Sequence, residues 1–191
     1  IQAYPSSILT LAKYLEANDL FYQGKLKSIV TSSESLPIAD KELIEKRFKC
    51  KVFDWYGLFE RVAAIASCEH DRYHILTDYS NVELVPAGTV NGKNRAEIVG
   101  TNFNNKLYPL IRYKTGDYVV LSNEKQCPCG RVYPIIESLE GREGDYLIGE
   151  DNQRISSATL SLVFKGIYGI IISQFLQESR SVITVLAVVE A

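Results

Sequence analysis

The stretch LIRYKTGD, residues 110–117, indicates a strand-rich fold that presents a carboxylate. Apolar residues stand on both sides of it, and Gly116 lies where the chain would turn. This pattern predicts two strands joined by a tight turn that exposes Asp117. A carboxylate presented in this way can accept hydrogen bonds from the two adjacent hydroxyls of a ribose. An ordinary polar hairpin turn is the alternative interpretation.

The size and composition of the chain set limits on its partners. It has 191 residues, of which 46% are hydrophobic and 23% charged, with a net charge of −2. This composition is typical of one globular domain, or of one domain and part of another. The charge does not indicate a nucleic-acid surface, no apolar run is long enough to cross a bilayer, and the start shows no signal-peptide pattern. We therefore expect a soluble cytoplasmic protein with neither nucleic-acid nor membrane partners.

The first third of the chain alternates between helix and strand. The pattern predicts a helix after Pro5, a strand over 25–31, a helix opened by residues 35–37 and a strand over 51–56. Such alternation is typical of a parallel α/β layer, which we place at residues 1–60.

The middle of the chain has a different pattern, with short strands separated by turn residues. Strands are predicted over 73–77, 82–86, 96–101, 118–122 and 132–137. Their spacing favours a small antiparallel sheet or barrel over residues 61–140. Residues 141–152 are polar and contain glycines, which predicts a hinge, and residues 153–191 form a further short α/β piece. That piece contains a strong strand at 181–189, whose edge requires a neighbour.

Polar residues follow both predicted strands of the α/β layer. Gly57 permits a sharp turn after the second strand, which would expose Tyr56 and Glu60 at the edge where open α/β sheets bind ligands. An aromatic ring can stack on a base, and a carboxylate can hold Mg²⁺ beside phosphates. Ser33 and Glu34 follow the earlier strand and are expected at the same edge. The alternatives are that Tyr56 is a core residue, that a helix over 62–66 follows Glu60, and that Ser35 only caps the next helix.

Two further groups of residues carry chemistry. Arg142 can pair with phosphate or ribose oxygens, and Asp145 lies where a hinge would change its backbone angles, although both also suit an ordinary connector. Cys68, His74, Cys127 and Cys129 form a set that suits tetrahedral zinc. The alternative is a group of reduced cytosolic thiols.

The order of these motifs resembles the adenylate-forming superfamily of acyl- and aryl-CoA synthetases. The resemblance rests on YGLFE at 56–60, YKTGD at 113–117 and GREGD at 141–145. CPCGR at 127–131, together with Cys68 and His74, is similar to the phenylacetate–CoA ligase branch, and the segments 154–156 and 173–178 are similar to its CapK-like members. The resemblance implies the C-terminal part of the large domain over 1–140, then the hinge, then the start of a small α+β lid.

The resemblance also implies a reaction. A carboxylic acid, expected to be aryl, attacks the α-phosphorus of ATP to give an acyl-AMP and pyrophosphate, and CoA or another acceptor then displaces AMP. The implied partners are thus a small-molecule carboxylic acid and a nucleotide. The implied cofactors are ATP or AMP, Mg²⁺ and CoA, with a structural Zn²⁺ as a further possibility. A homodimer is a possible assembly. The implied roles are ribose binding for Asp117, adenine-side contacts for Ser33, Glu34, Tyr56 and Gly57, Mg²⁺ binding and catalysis for Glu60, nucleotide contact and catalysis for Arg142, and the hinge for Asp145.

Three departures from the family pattern limit the expected activity. Phe59 stands where the family usually has a small hydroxyl residue that contacts phosphate. The family's phosphate loop is expected before residue 1 and the lid lysine after residue 191. We therefore expect a fragment that forms no adenylate alone. A non-catalytic nucleotide- or zinc-stabilised binding domain and a plain structural module are the alternatives.

Overall fold

The computed structural model describes residues 1–142, 146–149, 154–156, 160, 163–164 and 167–190. The chain divides into two compact units, Ile1–Glu143 and Gly144–Ala191. None of the helices in the described ranges has the length and apolar character needed to cross a bilayer.

The first unit begins with two helices that pack on parallel strands. Its first elements are β1 (Gln2–Ala3), α1 (Pro5–Ala17), β2 (Ser28–Ser32), α2 (Ile38–Phe48) and β3 (Lys51–Gly57). Proline in the first turn of α1 has the backbone angle that a helix start requires. Helix α2 has an acidic first turn and a basic last turn, as the helix dipole favours, and ends at Lys49 in the left-handed conformation.

One apolar cluster holds this α/β layer together. Its buried members are Ile8, Leu9, Ala12, Ile29, Ile44, Phe48 and Val52. Each of its buried Ile, Leu, Val and Phe side chains contributes about 1.5–3 kcal/mol, so this packing fixes the strands whose ends carry the candidate site.

The antiparallel strands continue the same sheet. They are β4 (Ala64–Ser67), β5 (Tyr73–Ile75), β6 (Ser80–Val90), β7 (Lys93–Asn102), β8 (Tyr113–Leu121) and β9 (Ile135–Arg142). Among the described residues, the strand order is β1-β2-β3-β4-β5-β9-β8-β7-β6 in a single sheet. The parallel and antiparallel parts meet where β3 pairs with β4, with Tyr56 opposite Ile65. The segments predicted as an α/β layer and an antiparallel subdomain therefore share one hydrogen-bonded sheet.

The segment at residues 110–117 differs from its prediction. Tyr113–Leu121 is one continuous strand, and both sides of Gly116 pair with β7. Opposite Glu97 lies Tyr118, and opposite Val99 lies Lys114, so β8 has two extra residues at this point. Gly116, at φ +73°, absorbs them in a bulge. The prediction of two strands joined by a turn is wrong because the glycine bends the strand without reversing it.

The helix considered for residues 62–66 is also wrong, since Ala64–Ser67 form β4. Val62, Ala63, Ala64 and Ile65 are all fully buried. A short apolar run that is covered on both faces cannot be distinguished from a buried helix by its periodicity.

Gly100 of β7 allows the backbone at Val62 to approach closely. A Cβ at position 100 would lie 2.1 Å from the carbonyl oxygen of Val62. We expect Gly100→Ala to lower the free energy of unfolding by about 3 kcal/mol, since the clash is with backbone that must shift. Urea denaturation measures this change.

Gly92→Ala is the matched control. Gly92 has φ +76°, and an added Cβ would meet no atom within 4 Å in the described part of the chain. Only the left-handed strain applies there, at about 1 kcal/mol. Equal losses in the two variants would contradict the close-approach explanation.

The second unit contains two pairs of antiparallel strands in its described residues. β10 (Tyr146–Ile148) pairs with β11 (Arg154–Ser156), and β12 (Ile170–Ser179) pairs with β13 (Val182–Val189). The side chain of Gln177 links the pairs, because it accepts from the backbone nitrogen of Ile148 at 2.8 Å and donates to its carbonyl at 2.9 Å. The strand predicted at 181–189 therefore has its neighbour in β12. Part of the range predicted as a hinge is also strand, namely Gly141 and Arg142 of β9 and all of β10.

Candidate functional site

Three polar side chains from separate segments meet at the β8 bulge. The Tyr56 hydroxyl donates to Oδ2 of Asp117 at 2.7 Å. Arg142, which lies opposite Asp117 in the β8–β9 register, places its Nε 3.4 Å from Oδ1 of the same carboxylate. The Thr115 side chain holds the backbone of the bulge, because its hydroxyl accepts from the Asp117 nitrogen at 3.0 Å and donates to the carbonyl oxygen of Ile98 at 2.9 Å. We call Tyr56, Asp117 and Arg142 the carboxylate cluster.

Burial dominates the electrostatics of the carboxylate cluster. It raises the pKa of Asp117, against the hydrogen bond from Tyr56 and the charge of Arg142, which lower it. Burial, followed by the negative charge of Asp117, also raises the pKa of Tyr56, so this hydroxyl stays a donor at neutral pH. The carboxylate can still accept further hydrogen bonds, since two oxygens offer about four lone-pair positions.

Glu60 is linked to this region from the loop after β3. It accepts a hydrogen bond of 3.1 Å from the hydroxyl of Tyr113 at the start of β8. Its negative charge adds a smaller contribution to the raised pKa of Asp117, after that of burial, because a like charge disfavours ionisation. The structure thus brings Tyr56, Asp117, Arg142 and Glu60 into one electrostatic environment.

A cleft opens beside the carboxyl end of β3. It has a volume of about 420 Å³ and is lined by Gln2, Ser32, Ser33, Trp55, Gly57, Leu58, Phe59, Arg61 and Tyr79. We call it the first cleft. Ser33 and Gly57, both candidates from the sequence, lie here, whereas the carboxylate cluster does not belong to the lining. Small-molecule sites typically have volumes of about 300–1,000 Å³, so the cleft can hold a nucleotide-sized ligand.

The remaining candidates have different positions. Glu34 accepts hydrogen bonds from the backbone nitrogen and the hydroxyl of Ser6, at 2.8 and 3.0 Å. It thus stabilises the first turn of α1, whose N-cap residue provides no side-chain hydrogen bond. The cap considered for Ser35 is not formed, because α2 begins after Pro37 without a side-chain cap. Asp145 lies outside the described residues.

The four predicted metal ligands lie together in the structure. The ligand atoms of Cys68, His74, Cys127 and Cys129 are all within 4.8 Å of one another. The Sγ atoms of Cys68 and Cys127 are 3.6 Å apart, and Sγ of Cys129 is 3.5 Å from Nε2 of His74. Tetrahedral zinc with Zn–S bonds of about 2.3 Å separates its sulfurs by roughly 3.8 Å, so this spacing fits the ion. We call these residues the Cys₃His cluster.

The surroundings of the Cys₃His cluster favour a ligand role for His74. Its Nδ1 lies 3.3 Å from the carbonyl oxygen of Tyr133, an arrangement that leaves Nε2 for a metal. Gly130, at φ +77°, closes the turn that aims Cys127 and Cys129 at the same point. The cysteines are unpaired thiols, and His70 is exposed.

Some cleft residues were missed by the sequence analysis. Trp55, the single tryptophan, lines the first cleft, whereas Tyr56 contacts Asp117 and packs against buried residues of the antiparallel strands, among them Ile65, Ile98 and Val119. Adjacent strand residues point to opposite faces, and the sequence alone does not say which face carries the cleft. Arg61 and Tyr79 belong to segments with no recognisable motif. The one available signal for Arg61 was its basic side chain directly after Glu60.

Comparisons with known proteins bear on the resemblance. No protein-family profile matches the chain. It is 26% identical to protein CapK of Staphylococcus aureus over 190 residues, which are 99% of this chain and 41% of CapK. It is 28% identical to phenylacetate–coenzyme A ligase of Thermus thermophilus over 156 residues, 78% of this chain and 35% of that ligase. These relatives confirm the resemblance to the phenylacetate–CoA ligase and CapK-like branch of the adenylate-forming superfamily.

A solved structure supports the fold. The 2-hydroxyisobutyryl-CoA ligase, in complex with 2-HIB-AMP and CoA in its thioesterification state, matches with a TM-score of 0.62 and 21% identity, over 98% of this chain and 42% of that one. At this identity the match shows a shared fold, and the α/β, strand-rich fold class is confirmed. The chain spans about two fifths of the length of the relatives that it matches.

Proposed function

We propose that this chain contributes the nucleotide-binding part of an adenylate-forming ligase. In the proposed reaction a carboxylic acid is activated as acyl-AMP and transferred to CoA or another acceptor. The observation that carries the proposal is the carboxylate cluster, in which Asp117 is held from two sides by Tyr56 and Arg142. A fixed, buried carboxylate is suited to accept hydrogen bonds from adjacent sugar hydroxyls.

The other roles follow from position. Arg142 lies one strand from the ribose-binding carboxylate, where a guanidinium can pair with nucleotide oxygens. Ser33 and Gly57 line the first cleft, which we propose for the adenine. Glu60 would hold Mg²⁺ beside the phosphates, because hard cations prefer carboxylate oxygens. The Cys₃His cluster would hold a structural Zn²⁺. A hinge at Asp145, a cytoplasmic location and a homodimer stay predictions of the sequence.

Phe59 supports a second candidate function, a nucleotide-binding domain without catalysis. Its ring is fully exposed and lines the first cleft, and it has no hydroxyl that could contact phosphate. This side chain favours binding over turnover of ATP.

Two measurements test the proposal and separate the candidates. Isothermal titration of AMP into the chain tests the nucleotide site, and pyrophosphate release from ATP by the intact protein, with a panel of carboxylic acids, tests the reaction. AMP binding by the chain together with release by the intact protein supports the ligase, and AMP binding without that release supports the non-catalytic domain. If AMP does not bind, both assignments are wrong.

A further inference from the structure

A second cleft lies next to the first and has a different lining. Its volume is about 620 Å³, and its walls are Phe59, Glu60, Arg61, Tyr79, Asn102, Asn104, Asn105, Tyr108 and Leu110. Phe59, Arg61 and Tyr79 also line the first cleft, so the two are neighbours. The volume is that of a ligand site, and Glu60, the proposed Mg²⁺ ligand, belongs to this wall, so a molecule bound here would lie beside the proposed position of the phosphates.

One wall of the second cleft is a loop fixed by its own polar groups. The loop leaves β7 at Asn102 and returns at Arg112. At its neck, the backbone nitrogen of Asn102 donates to the carbonyl of Leu110 at 3.2 Å, and the Arg112 nitrogen donates to the Thr101 hydroxyl at 2.9 Å. Within the loop, the Tyr108 nitrogen donates to Oδ1 of Asn105 at 3.0 Å. These bonds hold the loop in a defined shape, as a binding wall requires.

The side chains of this wall suit hydroxyl groups. Three asparagine amides line the cleft, and each amide both donates and accepts. The side-chain nitrogen of Asn102 is buried and has no hydrogen-bond partner in the described part of the chain. Buried polar groups are nearly always paired, so an orphaned donor at this position indicates a missing acceptor. The lining also includes Phe59, Tyr79, Tyr108 and Leu110, which offer apolar surface to the carbon chain of a ligand that carries hydroxyl groups.

Arg61 marks the end of the second cleft that joins the first. It has a left-handed backbone, at φ +56°, and is exposed where both linings meet. A guanidinium in this position can pair with a carboxylate that approaches from either side.

We propose that the second cleft binds a hydroxylated carboxylic acid, with its carboxylate at Arg61 and its hydroxyls among Asn102, Asn104 and Asn105. This inference rests on the proposed function, because it names the class of acid that the ligase would activate. It replaces the aryl acid expected from the resemblance by a short aliphatic acid that carries hydroxyl groups.

The test compares 3-hydroxybutyrate, butyrate and phenylacetate as probes of the chain. Titrations followed by NMR, on the side-chain amide signals of Asn104 and Asn105, give a dissociation constant for each acid. We expect 3-hydroxybutyrate to bind at least about fivefold more tightly than butyrate, as one added hydrogen bond provides. Asn104→Leu should abolish this preference, whereas Asn94→Leu, at an exposed position in β7, should retain it. Arg61→Gln should weaken both acids by the same factor.

Titration of AMP into the same samples distinguishes failure of the cleft assignment from failure of the proposed function. If AMP fails to bind while the hydroxyl preference persists, the proposed function is wrong and the cleft assignment stands. Equal binding of the two aliphatic acids, tighter binding of phenylacetate, or no acid binding at all overturns the cleft assignment, whatever AMP does.

Discussion

Replacing Asp117 by Asn is expected to weaken the binding of AMP to this chain by about 100-fold. Hydrogen bonds to a charged group contribute about 1.5–3 kcal/mol each, and two such bonds to the ribose hydroxyls correspond to at least two factors of ten. Asparagine keeps the shape of the side chain and one oxygen for the Tyr56 hydroxyl, so the bulge in β8 should persist. Isothermal titration of AMP measures the change, and circular dichroism checks that the fold is retained.

Asp78→Asn is the matched control for this prediction. Asp78 also accepts a tyrosine hydroxyl, from Tyr133 at 3.0 Å, but it lies outside the carboxylate cluster and both clefts. Its replacement should leave the affinity for AMP unchanged. If the two variants bind AMP equally well, Asp117 does not hold the ribose.

The same assignment predicts a pH dependence. Because burial raises the pKa of Asp117, this carboxylate gains its proton at a higher pH than an ordinary aspartate as the solution is acidified. The protonated form is the poorer acceptor, so affinity should fall with falling pH in the original chain and not in the Asp117→Asn variant. Adenosine is the better probe here, since the phosphate of AMP itself titrates near neutrality.

Loss of the metal is expected to produce the second large effect. The chain, purified without chelators, should contain about one equivalent of zinc, as a four-ligand structural site binds one ion. Cys127→Ser should remove most of this metal and lower the free energy of unfolding by about 5 kcal/mol, because metal binding contributes directly to the stability of the fold that assembles the ligands. Elemental analysis and urea denaturation measure the two quantities.

Cys50 provides the control for the metal. It is an unpaired thiol between α2 and β3 that packs against the first apolar cluster, and it is not a member of the Cys₃His cluster. Cys50→Ser should keep the full zinc content and lose only a small part of the stability. A zinc content well below one equivalent in the original chain would show that the Cys₃His cluster is a group of reduced thiols.

The sequence could predict those features that depend on residue type and short spacing. The helices of the α/β layer follow from apolar periodicity and from proline and charge at their ends. The four members of the Cys₃His cluster follow from their chemistry, and the pairing of β5 with β9 is what brings His74 near Cys127 and Cys129.

Other features depend on register, which a single sequence does not provide. Gly116 is compatible with a turn and with a bulge, and only the pairing of both its sides with β7 decides between them. Likewise Trp55 and Tyr56 are neighbours in β3 whose side chains lie on opposite faces of the sheet. The packing of α1 and α2 on the sheet decides which face each of them occupies. The second cleft escaped prediction because its asparagines line a loop that has no pattern of its own.

The pairing of β5 with β9 also has a consequence for how the chain folds. Tyr73 pairs with Ile136, and three strands, β6, β7 and β8, lie between them in the sequence. These three strands can form early, because each pairs with its neighbour in sequence as a local hairpin. Closure of a loop this long is the slow, entropically costly event in building such a sheet. The ligands of the Cys₃His cluster lie on both sides of the β5–β9 pairing. A zinc ion bound early by these ligands would hold the two strands near each other and lower the entropic cost of pairing them. Folding yield should therefore depend on zinc supply during synthesis.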